Sequence, residues 1–133
     1  MPIELSYLSA SVALFLIYLL GEVVTGNIQY NPKELLGARD TMPPNNMAVG
    51  RAKRATQNML ESMIMFAPLI LIAHATDRFN DMTELGAGLF LGARILYAPF
   101  YWFGVPVLRS LAWFAGVIGI VIVFLQVLPF TGA

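Results

Sequence analysis

A chain of 133 residues that is 58% hydrophobic and 12% charged departs from ordinary soluble domains, about 25% of whose residues are charged. Its mean hydropathy of +0.70 means more apolar side chain than so small a soluble fold can conceal. Eight basic and eight acidic side chains cancel, which argues against nucleic acid or a bulk acidic substrate as partner. With no cysteine there are no disulfides, thiolate metal sites or cysteine nucleophiles, so any thiol chemistry has to come from a bound ligand. One histidine is too few for a usual metal site, and no metal is expected.

In chain order, Met1-Pro2-Ile3-Glu4 carries no basic segment and is followed by no evident cleavage site. The first apolar stretch, about Ile3 to Val24, therefore reads as a retained span rather than a signal peptide. At about 1.5 Å per residue it is long enough for a hydrocarbon core of about 30 Å. From Gly26 to about Val49 the motifs Asn31-Pro32, Gly37 and Met42-Pro43-Pro44-Asn45-Asn46 predict a loop rather than a continuous helix. The next segment starts polar, at Arg51-Ala52-Lys53-Arg54-Ala55-Thr56-Gln57-Asn58, and turns apolar from Met59 to Ala75. It reads as one long helix, its polar half facing protein or water. Residues 77–81 form a polar turn. A third span is predicted from about Met82 to Phe103, and a Gly104-Val105-Pro106 break leads to a fourth from about Leu108 to Leu128.

The runs are too long for barrel strands of about 10 residues, and only helices or closed barrels satisfy the backbone in lipid. The expected fold is all-α, an integral membrane four-helix bundle forming one domain over residues 1–133. Lys33, Arg39, Arg51, Lys53, Arg54 and Arg109 fall on one side of these spans, against Arg78 on the other. The positive-inside rule then places the first and third connections in the cytoplasm and both termini outside.

Ionisable side chains inside a span cost at least about 2.5–3.5 kcal/mol each at its centre, so their placement needs a reason. Arg51, Arg54, Asn58 and Glu61 share one helical face, and Arg94, Tyr97 and Tyr101 share another. Arg109 and Ser110 begin the fourth span. If the faces meet, they form a pocket of several cations, one carboxylate and two phenols. Each residue also has a structural reading. Arg94 and Glu61 are a possible ion pair locking helices. Arg51, Lys53 and Arg54 suit topology and headgroup contacts, and Tyr97, Tyr101 and Trp102 suit an aromatic belt. Against that stands an imbalance: Arg51, Arg54, Arg94 and Arg109 face a single in-helix acid, Glu61. A small ligand with carboxylates would use the surplus, because guanidinium forks match carboxylates. His74 reads as an interfacial side chain and Glu22 as a partner for a nearby basic residue. Gly86, Gly88 and Gly92 read as a close helix contact.

The run from Gly50 through Arg51, Arg54, Asn58 and Glu61 resembles the second-helix signature of the MAPEG family, membrane-associated proteins in eicosanoid and glutathione metabolism. Gly92-Ala93-Arg94-Ile95-Leu96-Tyr97-Ala98-Pro99-Phe100-Tyr101, with Pro106-Val107-Leu108-Arg109-Ser110, is similar to that family's third helix and its turn into the fourth. Gly37-Ala38-Arg39-Asp40 with its nearby prolines resembles the short prokaryotic branch. The resemblance implies a homotrimer that binds glutathione as co-substrate between subunits near the cytoplasmic face. It places Arg54, Asn58 and Glu61 on the peptide backbone and termini of glutathione. Arg94 and Tyr101 match ligand-binding positions, Arg109 and Ser110 the pair beside the thiol, and Arg51 and Tyr97 are weaker correspondences. Three departures stand out: Gln57 where mammalian enzymes often have Arg, Tyr97 where some have His, and no basic residue in the first helix.

Three functions are then in view. The first is a glutathione-dependent membrane transferase, with or without peroxidase activity, that uses Arg109 and Ser110 to activate the thiol against lipophilic electrophiles from the bilayer. The second is a non-catalytic relative that binds another anionic or lipid ligand. The third is a small multidrug-type transporter, which requires an acid deep in the first span; Glu22 lies at its end instead. Haem binding lacks paired axial ligands.

Overall fold

The computed structural model describes residues 1–37 and 42–128. Five helices follow one another in these residues: α1 Ile3–Gln29, α2 Pro32–Leu36, α3 Met47–Ala75, α4 Asp81–Trp102 and α5 Pro106–Gln126. Short connections at 76–80 and 103–105 force α3, α4 and α5 to run antiparallel in succession. At one end, Thr83 Oγ1 donates to Glu4 Oε2 at 2.6 Å. Toward the other, Trp102 packs on Gly21, so α1 and α4 run parallel. The most extensive pairing is α4 on α5, while α1 lies against both α3 and α4.

The core collects the small and aromatic faces of all four long helices: Tyr18 from α1, Met59, Phe66 and Ile70 from α3, Ala87 and Phe90 from α4, and Val123 from α5. Phe66 and Phe90 stack with ring centroids 4.0 Å apart, an offset-stacking distance for aromatic rings. The bundle's outer surface is apolar too, with Leu16, Ile17, Leu20, Ile64, Leu71, Phe114, Ile118 and Leu125 exposed. Only 17% of the most apolar window of α1 is buried, the pattern of a helix whose outer face meets lipid rather than water.

Several sequence expectations are corrected. α1 runs past Val24 to Gln29 because its last turn is tied to the loop: Gln29 Nε2 donates to the Pro44 carbonyl at 2.7 Å, and Tyr30 Oη donates to Asn45 Oδ1 at 2.6 Å. Asn31-Pro32, read as a turn, starts α2. Asn31 Oδ1 accepts from Glu34 N while Glu34 Oε1 accepts from Asn31 N, a reciprocal capping box with Pro at the first helical position. α3 starts at Met47, capped by Asn46, and α5 starts at Pro106. Among the described residues, three helices are long and apolar enough to cross a membrane: α1, α3 and α5. α4 has the length but is not among the three. Arg39, counted toward orientation, lies outside the described residues, as does most of the 37–40 run.

Of the three glycines read as a helix contact, only Gly86 makes an intimate one. A Cβ there would lie 2.7 Å from the Gly119 carbonyl oxygen, and one on Gly119 would lie 2.6 Å from the Gly86 oxygen. Gly88 meets only the Tyr7 ring at 3.4 Å, and Gly92 faces open space. Gly86 and Gly119 thus bring the α4 and α5 backbones into direct contact.

Candidate functional site

The basic end of the bundle brings together the first half of α3, the last turns of α4 and the first turn of α5. There a cavity of about 390 Å³ is lined by Arg54, Gln57, Asn58, Glu61, Tyr97, Tyr101 and Arg109. Six of these seven were singled out from the sequence; Gln57 drew notice only as a departure from the family pattern. Their convergence follows from helix periodicity, because residues three and four apart stack along one face.

Tyr101 is the hub. Its hydroxyl accepts from Arg54 Nε at 2.8 Å, and the Arg109 guanidinium carbon sits 5.0 Å from its ring centroid. One phenol thus holds two arginines on different helices, through a charge-assisted hydrogen bond and a cation–π contact. The Tyr97 ring lies 5.5 Å away. Across the cavity Gln57 Nε2 donates to Glu61 Oε1 at 3.4 Å, a long bond that leaves the carboxylate available. Among the described lining residues Glu61 is the one carboxylate, facing Arg54 and Arg109.

The remaining candidates sit elsewhere. Arg94 is behind the cavity wall and only 2% exposed. Its guanidinium lies 4.2 Å from the Tyr97 centroid and 5.7 Å from that of Tyr18, and Nη1 donates to Asn58 Oδ1 at 2.8 Å. The possible Arg94–Glu61 lock is therefore replaced by an Arg94–Asn58 bond. Arg94 Nε and Nη2 are buried without a partner. A smaller cavity of about 80 Å³ adjoins, lined by Asn58, Glu61, Ser62, Arg94 and the apolar residues Met65, Phe90, Trp113, Val117 and Ile120. Arg51 packs on the α4–α5 turn: a Cβ on Gly104, whose φ is +70°, would lie 2.6 Å from Arg51 Nη2. Ser110 is exposed and outside the lining of the cavity. Trp102, an aromatic-belt candidate, instead lies against α1, 6.0 Å from Tyr18, with its Nε1 buried and unpartnered. His74 is exposed beside Phe79.

A larger cavity, about 540 Å³, lies between the end of α1, α2 and the loop, with Glu22, Asn27, Tyr30, Asn45 and Lys53 among its lining. It is bigger but lacks convergent cations, so the chemistry points to the arginine–tyrosine cavity. The sequence missed Glu4, buried against Thr83 far from either cavity.

With this arrangement in view, comparison with protein families is decisive: the MAPEG family profile matches residues 7–129. The chain belongs to the MAPEG family and is an integral membrane protein. No curated protein and no solved structure matches it.

Proposed function

We propose that the chain is a glutathione-dependent membrane transferase. The observation that carries this reading is the lining of the 390 Å³ cavity, in which two guanidinium groups, two phenols and two side-chain amides surround a single carboxylate. Glutathione presents the complement, two carboxylates for the arginines and one ammonium for Glu61. The cavity volume falls within the roughly 300–1,000 Å³ of small-molecule sites, and family membership supports the same ligand.

In this reading Arg109 stabilises the thiolate. It lies in the first turn of α5, which has no side-chain cap, so the positive end of the helix adds to its charge. The thiol proton leaves to solvent. The sulfur lone pair then forms a bond to an electrophilic carbon, and the leaving group departs with the displaced electron pair. Met65, Trp113, Val117 and Ile120 line the adjoining cavity, which suits a lipophilic electrophile arriving from the bilayer. Ser110, assigned by resemblance to the thiol, is exposed, so Arg109 carries the larger part. Assembly as a homotrimer, a membrane-crossing α4 and cytoplasmic placement of the basic end belong to the same proposal.

The test is a glutathione titration of purified protein in detergent, followed by thiolate ultraviolet absorbance. A thiolate signal at neutral pH that disappears in Arg109→Ala is the expected result. Binding without that signal in wild type points to the second reading, a non-catalytic binder, which is favoured by the engagement of Arg109 with the Tyr101 ring. Absence of binding overturns the proposal.

A further inference from the structure

The geometry points to Arg94 as a positioning residue that acts through Asn58, locking its amide so that the glutathione site offers a donor, never an acceptor, at that position. This inference rests on the glutathione reading of the cavity.

A guanidinium has only donors. The Asn58 atom 2.8 Å from Arg94 Nη1 must therefore be the carbonyl oxygen, whichever way the amide would otherwise rest. Once Oδ1 is held inward, Nδ2 is turned away from Arg94. No described residue accepts a hydrogen bond from it, and it is not among the buried unpartnered atoms. Asn58 lines both the arginine–tyrosine cavity and the smaller one beside it, so this donor is free for a ligand at their junction. Arg94 itself is 2% exposed, does not line that cavity, and is clamped between the Tyr97 and Tyr18 rings. A surface amide rotates freely between two nearly isosteric states; this one is held by a buried, charge-assisted bond.

The consequence is selective. With Asn58 fixed, Asn58, Arg54 and Arg109 all donate into the site, and Glu61 is its charged acceptor beside the neutral oxygens of Gln57, Tyr97 and Tyr101. An acceptor oxygen of glutathione is matched at Asn58, and a ligand that presents a donor there is opposed by the amide. Arg94 accordingly sets specificity from outside the arginine–tyrosine cavity, lining only the smaller one beside it. A purely architectural role is a poor account of it, because two of its three nitrogens are buried without partners. Unpaired buried polar groups destabilise rather than stabilise a fold.

The test measures glutathione affinity by titration calorimetry in detergent, with melting temperature alongside, for wild type, Asn58→Ala, Asn58→Asp, Arg94→Met and the Asn58→Ala/Arg94→Met double variant. Asn58→Asp is nearly isosteric, but its second oxygen would face the ligand as a charged acceptor. It is expected to bind at least tenfold more weakly than Asn58→Ala. Arg94→Met is expected to lose roughly tenfold in affinity with little loss of melting temperature. In the double variant, affinity falls no further than in Asn58→Ala alone, because Arg94 acts only through the amide.

Asn58→Asp binding as tightly as Asn58→Ala, or tighter, would overturn the donor-only orientation. Additive losses in the double variant would overturn action through Asn58. The comparison of Asn58→Asp with Asn58→Ala remains decisive for the orientation of the amide if Arg94→Met does not fold. A wild-type protein that binds no glutathione removes the functional reading itself, an outcome distinct from either of these.

Discussion

At the residue scale the site turns on Tyr101. Its hydroxyl bonds Arg54, while its ring lies near Arg109 at 5.0 Å and Arg54 at 5.9 Å, so the hydroxyl's contribution can be removed by itself. Tyr101→Phe removes the acceptor for Arg54 Nε but keeps the ring beneath Arg109. A hydrogen bond to a charged group is worth about 1.5–3 kcal/mol, discounted here because Arg54 is exposed. Glutathione affinity should fall about three- to tenfold while the thiolate absorbance of the bound ligand persists. Tyr101→Ala frees both arginines and should lower affinity and thiolate signal together, as read by the same ultraviolet titration. Gly104 shows the same economy in the backbone: its φ of +70° and the Arg51 guanidinium against it demand a residue without Cβ. Gly104→Ala should cost about 1–2 kcal/mol from the left-handed conformation, read as a lowered melting temperature, before Arg51 is displaced at all.

At the scale of elements, the α4–α5 pairing is closest where Gly86 crosses Gly119. A Cβ at Gly86 meets the Gly119 carbonyl oxygen at 2.7 Å, and backbone cannot swing aside as a side chain can. Gly86→Ala should therefore separate the helices and destabilise by about 1–3 kcal/mol, the usual cost of overpacking. Gly92→Ala, on the same helix with nothing within 4 Å, should be neutral or slightly stabilising, since alanine exceeds glycine in helix propensity by about 1 kcal/mol. Paired melting curves in detergent distinguish the two. α4 also carries polar groups on the face it turns inward. Its buried face carries Thr83, Arg94 and Tyr97, polar groups that serve the capping box, Asn58 and the site. Sheltered by the other helices, this face need not meet lipid.

For the whole molecule, the basic end gathers Arg51, Lys53, Arg54 and Arg109 beside the arginine–tyrosine cavity, and the proposed orientation puts it in the cytoplasm. The absence of cysteine makes this directly measurable with single-cysteine variants in intact cells. Glu34→Cys should resist a membrane-impermeant thiol reagent and Asp77→Cys should react; the reverse pattern would invert the topology. Because residue 34 lies in α2 before α3 and residue 77 just after it, equal labelling of both would argue against α3 as a span.

The four long helices and their polar faces were legible in the residues alone. Periodicity of three and four is local, and apolar run length reports directly on the solvent a helix must meet. Arg54, Asn58, Glu61, Tyr97, Tyr101 and Arg109 could be grouped from spacing, and the family was readable from the same runs. α2 was missed although its signal was present: Asn31-Pro32 with Glu34 spells a capping box, but Asn-Pro also spells a turn, and the choice depends on contacts beyond the motif. Which polar residues touch the cavity was beyond spacing, because one helical face is wide enough to serve both a ligand and a neighbouring helix. Only the packing of α3 against α4 sends Arg94 behind Asn58, and only the turn at Gly104 draws Arg51 onto the backbone. The sequence by itself determined that this chain is helical, lipid-facing and gathers its cations on helical faces at one end, because those properties are summed over local runs of side chains. The tertiary structure decided which cations face a ligand and which hold another side chain in place, because that depends on distances between residues far apart in the chain.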